Sequence, residues 1–199
     1  MNHVKKLLCK ILKAVLILIL LFFCFYKFLL SDFNPMFNDD VFKSVKKELV
    51  KSRKEKLNNL IELYTETHDI NSIKSSPFRN DIRFGLCPSL DLVRYFGYNF
   101  KANIKLPFVK LIYALKIEKE FTNEECLKTL FLNCDYLNNN IGIRNASKYY
   151  FKKNYDSLNE KEILTLIVMF ENPRLYDPIR RPEKVKSKVA LFEKIIKKQ

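Results

Sequence analysis

The chain has 199 residues, of which 48% are apolar and 29% charged, and its formal net charge is +14. Beyond an N-terminal apolar segment this suits one domain with its own core, since domains typically hold about 100–150 residues. Only three glycines and seven prolines argue against a β-sandwich, a β-barrel or a low-complexity linker. The positive charge predicts an anionic partner, which could be nucleic acid, lipid headgroups or a phosphorylated substrate.

The first predicted element is an apolar segment, Leu7–Leu30, that follows a lysine-rich start. As a helix it is about 36 Å long, enough to cross a hydrocarbon core of about 30 Å. A cleaved signal peptide begins similarly, but no small-x-small cleavage site follows Leu30, so residues 1–30 are predicted to be a basic start and an uncleaved anchor. Lysines precede the apolar core and aspartates follow it. The positive-inside rule therefore predicts a cytoplasmic N-terminus in a cell membrane, with residues 31–199 outside. This location favours membrane lipid over nucleic acid as a partner.

Apolar residues recur three or four apart from Asp40 to about His68, which predicts one long helix near the membrane. Its middle, KSRKEK, is too polar to be buried. That face either is solvated or lies on anionic headgroups, where each cation adds about 1 kcal/mol. Residues 70–90 contain proline and glycine breakers and are predicted to be irregular.

The remainder of the chain is predicted to be helical. Amphipathic helices are expected over Leu106–Phe121 and Asn123–Leu132. Further helices are expected near Leu90–Phe96, over Ile143–Phe151, from Glu160 to Asn172, and over Glu183–Lys198. Thr122 and Asn159 each precede a glutamate by three residues, which is the pattern of a capping box. Residues 133–141 form an asparagine-rich loop, where the left-handed backbone is expected because asparagine tolerates it better than most residues. Residues 174–182 form an extended crossing segment. No run of alternating strands appears, so the predicted fold is all-α with one transmembrane helix.

Cysteine and histidine do not indicate a metal site. The cysteines are Cys9 and Cys24 in the apolar segment and Cys87, Cys126 and Cys134 beyond it, with no CxxC pair. We expect isolated, mostly buried thiols, although one Cys126–Cys134 or Cys87–Cys134 disulfide stays open in an oxidising compartment. His3 and His68 lie far apart, with no acid or cysteine framing them.

Several short motifs follow one another through the second half of the chain. They are Leu132-Asn133, Tyr136-Leu137, Gly142-Ile143, Tyr150-Phe151, Leu158-Asn159 with Glu162, and Asn172-Pro173 followed by Tyr176-Asp177-Pro178 and Pro182-Glu183. In this order and at nearly this spacing, they resemble the family-51 glycosyltransferases. These peptidoglycan polymerases occur as monofunctional transglycosylases and as the polymerising domain of penicillin-binding proteins. Upstream, Ala114–Glu125 is similar to the family's Ala-Leu-x-Leu-Glu helix.

The resemblance covers roughly residues 78–192 and implies a lysozyme-like helical lobe. It divides the external part into a juxtamembrane helical segment, 31–77, and a transglycosylase-like domain, 78–199. The implied activity is an inverting transfer, in which a glutamate acts as general base on a sugar hydroxyl. That hydroxyl then displaces the lipid pyrophosphate of a growing glycan chain.

The stretch NDIRFGLCPSLD, residues 80–91, resembles the family's first active-site motif, Glu-Asp-x-x-Phe-x-x-His-x-Gly-x-Asp. Asp81, Phe84 and Asp91 match it, and Arg83 matches a common variant. The family's histidine and glycine fall on Cys87 and Ser89. Its glutamate falls on Asn80, whose amide cannot accept a proton near neutral pH as a carboxylate can.

Further departures concern the substrate-binding part of the implied site. The family's Arg-Lys-x-x-Glu ends here on Lys110, and the glutamate of its Gly-Ile-Glu-Ala helix falls on Arg144. The segment carrying Ser-x-x-Thr-Gln-Gln has no counterpart between Phe96 and Leu106, where roughly 15–20 residues are missing, a helix of about 25 Å.

Three functions follow as hypotheses. The favoured one is a catalytically degenerate relative that binds or scaffolds lipid-linked precursor or another cell-wall synthesis protein, with Arg83, Lys110 and Arg144 contacting the anionic ligand. The second is an active, divergent glycosyltransferase with Asp81 as base; a divalent cation is a candidate cofactor only in that case. The third is an unrelated helical membrane protein that binds anionic lipid or a partner through its basic faces.

Overall fold

The computed structural model describes residues 2–38, 40–68, 70, 87–99 and 107–198. Its described residues form nine α-helices, no strand, and one isolated bridge between Asp135 and Ile141. The helices are α1 (Asn2–Leu29), α2 (Asp40–Ser52), α3 (Asn58–Thr67), α4 (Pro88–Asn99), α5 (Pro107–Glu120), α6 (Asn123–Asn133), α7 (Ile143–Phe151), α8 (Glu160–Glu171) and α9 (Pro182–Ile196), with short 3₁₀ helices at Pro35–Asn38 and Tyr155–Ser157. The predicted all-α fold is confirmed.

Helix α1 stands apart from the core, and its apolar side chains are exposed along its length. Within it, Lys6–Leu29 is long and apolar enough to cross a membrane. Water is a poor solvent for such a surface, whereas lipid tails are as apolar as its side chains. The helix is therefore consistent with a membrane anchor.

The predicted single helix from Asp40 to about His68 is wrong. The chain leaves the helical path after Ser52 and resumes it at Asn58. The intervening Arg53 pairs with Glu125 on α6, 2.5 Å away, and Leu57 is fully buried. A straight helix would not bring these residues to their partners, so tertiary contacts override the helical propensity of the charged segment.

Helix α8 lies at the centre of the domain, with seven of its residues buried between Ile163 and Phe170. It packs against α3, α7 and α9, and on the other side α4 packs against α5, α6 and α2. Phe131 of α6 joins the two halves, since its ring lies 4.2 Å from that of Phe170 and 5.5 Å from that of Tyr64. Buried aromatic rings of this kind contribute both apolar area and specific ring–ring geometry to a core.

Both predicted capping boxes are present. Thr122 accepts from the backbone N–H of Glu125 while the Glu125 carboxylate accepts from the N–H of Thr122, and Asn159 and Glu162 do the same at α8. Helix α7 has the predicted bounds. Helix α5 also forms as predicted, but it is buried on most faces rather than amphipathic, since Leu111–Ala114, Lys116 and Ile117 are all inside.

Of the two connecting segments predicted from the sequence, 133–141 has the expected backbone and 174–182 does not. The asparagine-rich loop adopts the left-handed backbone at Asn138 and Asn139 as expected, and also at Leu137. The segment 174–182 is wound into turns rather than extended. There the buried Asp177 carboxylate accepts from the backbone N–H groups of Ile179 and Arg180, at 2.8 and 3.2 Å.

All five cysteines are unbridged, so neither of the two disulfides that the sequence left open is present. Cys126 and Cys134 lie eight residues apart along α6 and its C-cap, which separates them by about 12 Å along the helix axis. A disulfide needs Cα atoms within about 7 Å. Burial raises the pKa of both thiols, that of Cys134 to about 12.

Candidate functional site

The predicted base position lies outside the part of the chain that the structure describes. Asn80, Asp81, Arg83 and Phe84 belong to the segment 71–86, and the irregular region expected at 70–90 lies there too. The catalytic role assigned to Asp81 and the binding role assigned to Arg83 stay predictions. The structure describes the end of the motif, from Cys87 onward.

That end is buried and contributes to packing at the start of α4. Cys87 is 1% exposed, and Ser89 and Asp91 are fully buried. The Ser89 hydroxyl donates to the Glu118 carboxylate of α5 at 2.7 Å. Asp91 accepts from the guanidinium of Arg94 one turn later, at 3.3 Å. The residues at the positions of the family's histidine, glycine and second aspartate are therefore buried here, and Ser89 links α4 to α5.

Lys110 lies on the first half of α5 and is partly buried. Among the described residues no carboxylate lies within ion-pair distance of its ammonium group. A cation left without a carboxylate partner is suited to bind an anionic ligand, and it cannot accept a proton as the glutamate implied here by the resemblance would.

Arg144, on α7, differs from Lys110 because it already has carboxylate partners. Its guanidinium contacts Glu55 at 2.9 Å and Asp156 at 3.5 Å, and it lies over the ring of Tyr155. A ligand phosphate would have to displace one of these carboxylates. Helix α7 packs on α6 and α8, whereas α5 packs on α4, so Lys110 and Arg144 lie on helices with different neighbours.

Sequence reasoning missed a buried lysine at the base of the anchor. Lys116 on α5 is 2% exposed. Its ammonium donates to Asp32 at 2.7 Å, to Glu120 at 2.9 Å and to the backbone carbonyl of Leu30 at 3.2 Å. Burial alone would lower the pKa of Lys116, but the hydrogen bonds to Asp32 and Glu120 outweigh it and raise the pKa. These contacts of Lys116 fix the end of α1 to α5. The only sequence signal for them is the i,i+4 pair of opposite charges, Lys116 and Glu120.

A second unpredicted cluster joins three helices on the opposite side. His68, after α3, stacks on Tyr64 at 4.1 Å and contacts Glu171 of α8 at 3.0 Å. Lys188 of α9 contacts the other carboxylate oxygen at 3.2 Å. Burial opposes ionisation of Glu171, but the hydrogen bonds from His68 and Lys188 hold its pKa below the usual value. The cluster holds α3, α8 and α9 together through contacts to Glu171.

A protein-family model described as Transglycosylase matches residues 92–196, which is more than half of the chain. The chain belongs to the transglycosylase family. The matched region begins in α4 and ends with α9, so it contains Lys110, Lys116 and Arg144.

Curated relatives of this transglycosylase-family chain include three penicillin-binding proteins. Penicillin-binding protein 4 of Bacillus subtilis is 35% identical over 80 residues, which is 40% of this chain and 13% of that protein. Penicillin-binding protein 2a of Streptococcus pneumoniae is 34% identical over 71 residues, which is 35% of this chain and 10% of that protein. Penicillin-binding protein 1F of Bacillus subtilis is 31% identical over 80 residues, which is 40% of this chain and 11% of that protein. The chain thus spans about a tenth of the length of the curated relatives it matches. No solved structure matches it.

The transglycosylase motifs quoted from the sequence have structural roles in the described residues. Gly142 has φ +81°, and a Cβ there would lie 2.3 Å from the carbonyl oxygen of Leu132, so only glycine fits. The Tyr150 hydroxyl donates to the carbonyl of Tyr136 at 2.8 Å and thereby ties α7 to the asparagine-rich loop. These contacts and the two capping boxes hold the described motif residues in place.

A metal centre is absent from the described part of this transglycosylase-family chain, where no three His, Cys, Asp or Glu side chains cluster in a way that could hold an ion. His68, the one histidine whose side chain is described, contacts Glu171 instead. The described residues therefore indicate no site for a resident metal cofactor.

Proposed function

We propose that this chain is a membrane-anchored binding protein of cell-wall synthesis, which holds lipid-linked peptidoglycan precursor without polymerising it. The family is that of the transglycosylase domains, and the relatives that match are penicillin-binding proteins. The proposal assigns residues 78–199 to the precursor-binding domain and residues 31–77 to the segment between it and the anchor.

The observation that carries the proposal is Lys110. The resemblance implies a glutamate at this position, beside the donor pyrophosphate. This chain instead presents a partly buried ammonium that no carboxylate neutralises among the described residues. The substitution reverses the charge facing the ligand. It strengthens attraction for a pyrophosphate and removes a group that could take part in proton transfer.

The base position supports the same conclusion. Asn80 stands where the resemblance implies the general base, and its amide has no lone pair that accepts a proton near neutral pH. Asp81 is the neighbouring acid, but its shorter side chain begins one position along. Displacements of about 1 Å from the productive geometry can cost about 100-fold in rate.

The anchor is oriented in this proposal with its N-terminus in the cytoplasm and residues 31–199 outside. Lys6, Lys10 and Lys13 lie near the N-terminal end of α1, and Asp32 follows its C-terminal end. The positive-inside rule places such lysines on the cytoplasmic side. The domain would then face lipid-linked precursor on the outer leaflet.

The test uses the full chain reconstituted in vesicles with labelled lipid-linked disaccharide pyrophosphate. We expect saturable binding and no glycan polymer, while an intact transglycosylase under the same conditions forms polymer. Lys110→Ala should weaken binding at least fivefold, because it removes a charge-assisted contact of about 1.5–3 kcal/mol. The matched control is Lys186→Ala, an equal charge change at an exposed lysine on α9.

Two results would contradict the proposal. Absence of saturable binding by the wild-type chain would remove the assigned ligand. Polymer formation that Asp81→Asn abolishes would show instead an active glycosyltransferase with Asp81 as its base.

A further inference from the structure

A cavity of about 600 Å³ lies where the anchor meets the domain. Tyr26, Lys27 and Leu30 line it from the end of α1, and Leu115 and Lys119 line it from α5. This volume falls within the range of about 300–1,000 Å³ that is usual for small-ligand sites. Because one wall is the last turn of the apolar helix, a membrane crossed by that helix would reach the mouth of the cavity.

The cavity is preformed by the Lys116 cluster. The Lys116 ammonium binds both the carbonyl of Leu30, at 3.2 Å, and the carboxylate of Asp32, at 2.7 Å. Tyr113, one helical turn earlier, donates to the carbonyl of Met36 at 2.7 Å. These contacts hold the end of α1 against α5, so the space between the two helices does not depend on a ligand to open it.

Its charge is complementary to an anion. Lys27 and Lys119 both line the cavity, and neither has a carboxylate within ion-pair distance among the described residues. The one acid in the lining, Glu118, accepts a hydrogen bond from the Ser89 hydroxyl on α4. The charged groups of the lining therefore carry a net charge of +1, from two lysines and one glutamate.

Its apolar wall suits a lipid rather than a free ion. Leu115 and the buried Phe121 supply hydrocarbon surface beside the two ammonium groups. Tyr26 has the amphipathic side chain that is typical of the level of lipid headgroups. An anion with an attached glycerol and acyl chains can use both kinds of surface, whereas inorganic phosphate uses only the lysines.

We propose that this junction cavity binds the phosphate headgroup of an anionic glycerophospholipid, with its acyl chains along α1. The site is separate from the proposed precursor-binding function, since Lys110 is not among the described residues that line the cavity. A lipid held there contacts both the anchor and the domain and so stabilises their relative orientation.

The experiment measures lipid retention on the full chain in non-ionic detergent by native mass spectrometry, with phosphatidylglycerol or phosphatidylcholine added. We expect one tightly retained phosphatidylglycerol and at least fivefold weaker retention of phosphatidylcholine. Lys27→Gln with Lys119→Gln should reduce phosphatidylglycerol retention at least tenfold. Lys186→Gln with Lys184→Gln, the same charge change on exposed positions of α9, should leave it unchanged.

Each alternative outcome overturns the inference. Equal loss in both double variants would indicate bulk charge attraction, and equal retention of both lipids would exclude headgroup recognition. Displacement of the lipid by millimolar inorganic phosphate would indicate a free-phosphate site.

Lys110→Ala separates this site from the precursor site, because it should weaken precursor binding and leave phosphatidylglycerol retention unchanged. Far-UV circular dichroism verifies that the Lys27 and Lys119 variants keep their helices.

Discussion

Replacement of Lys116 by methionine tests whether the buried lysine holds the anchor to the domain. The side chain of Lys116 is 2% exposed, whereas those of its partners Asp32 and Glu120 are 85% and 23% exposed. Removing one member of a buried ion pair can cost about 3–5 kcal/mol when its partner is left buried and unpaired. Here Asp32 returns to water and Glu120 keeps Lys46 at 2.7 Å. We therefore expect a smaller loss, about 2 kcal/mol in the free energy of unfolding.

The measurement is thermal unfolding of the full chain in non-ionic detergent, followed by the near-ultraviolet circular dichroism of its ten tyrosines. For a domain of this size, about 2 kcal/mol corresponds to a Tm lower by roughly 4–8 °C. Lys186→Met is the matched control, because Lys186 is an exposed lysine on α9 and belongs to neither proposed site. A Lys116→Met variant that unfolds within about 1 °C of this control would refute the reasoning.

The same variant has a second expected signature, in the dependence of stability on pH. The hydrogen bond from Lys116 lowers the pKa of Asp32. For Glu120, burial acts in the opposite direction, but hydrogen bonds from Lys46 and Lys116 outweigh it and lower the pKa as well. Carboxyls with a lowered folded pKa stabilise the fold above their unfolded pKa of about 4, and this contribution is lost as the pH falls through the folded value. Lys116→Met should therefore flatten the fall in Tm below about pH 4.5, and an unchanged slope would contradict the assignment.

Three further variants test the scaffold by the same unfolding assay. Gly142→Ala should lower the free energy of unfolding by at least about 2 kcal/mol, since a side chain at φ +81° is strained and its Cβ meets a backbone oxygen; wild-type stability would contradict the geometry. Asn159→Ala should cost about 1 kcal/mol through loss of the α8 capping box, whereas Thr165→Ala, at a partly buried position about one and a half turns later, should cost less. Tyr136→Phe should be neutral or stabilise by about 1 kcal/mol, because the buried Tyr136 hydroxyl has no hydrogen-bond partner in the described part of the chain; a loss above about 1 kcal/mol would indicate a partner.

Features set by neighbouring residues could be predicted from the sequence. The capping boxes at Thr122 and Asn159 each need only a glutamate three residues later, and both form. The bounds of α7 and the left-handed backbone at Asn138 and Asn139 are likewise local. In these cases the residues that make the structure are adjacent in the sequence, so the pattern is sufficient.

Features that depend on distant partners could not be predicted. The break between α2 and α3 carries no glycine or proline, and it exists because Glu55 and Arg53 reach α7 and α6, far along the chain. The burial of Lys116 requires Asp32, which lies 84 residues earlier. A lysine on a helix is ordinarily solvated, so nothing at position 116 alone distinguishes it from its exposed neighbour Lys119.

The residues of the candidate site fall into two groups, those that support the fold and those assigned to a ligand. Asp91 matches the first motif whereas Ser89 stands at the family's glycine, yet both are buried and bonded within the fold. Changing either residue would leave a polar group unsatisfied or open a void, which costs stability whatever the protein does. Lys110, by contrast, has no ion-pair partner among the described residues, and the proposed function therefore assigns it to the ligand. The proposed function combines these two features, because a fold that keeps its buried contacts can present an ammonium to an anionic ligand. In the proposed function these two positions supply no proton acceptor, because neither Lys110 nor Asn80 can take up a proton near neutral pH.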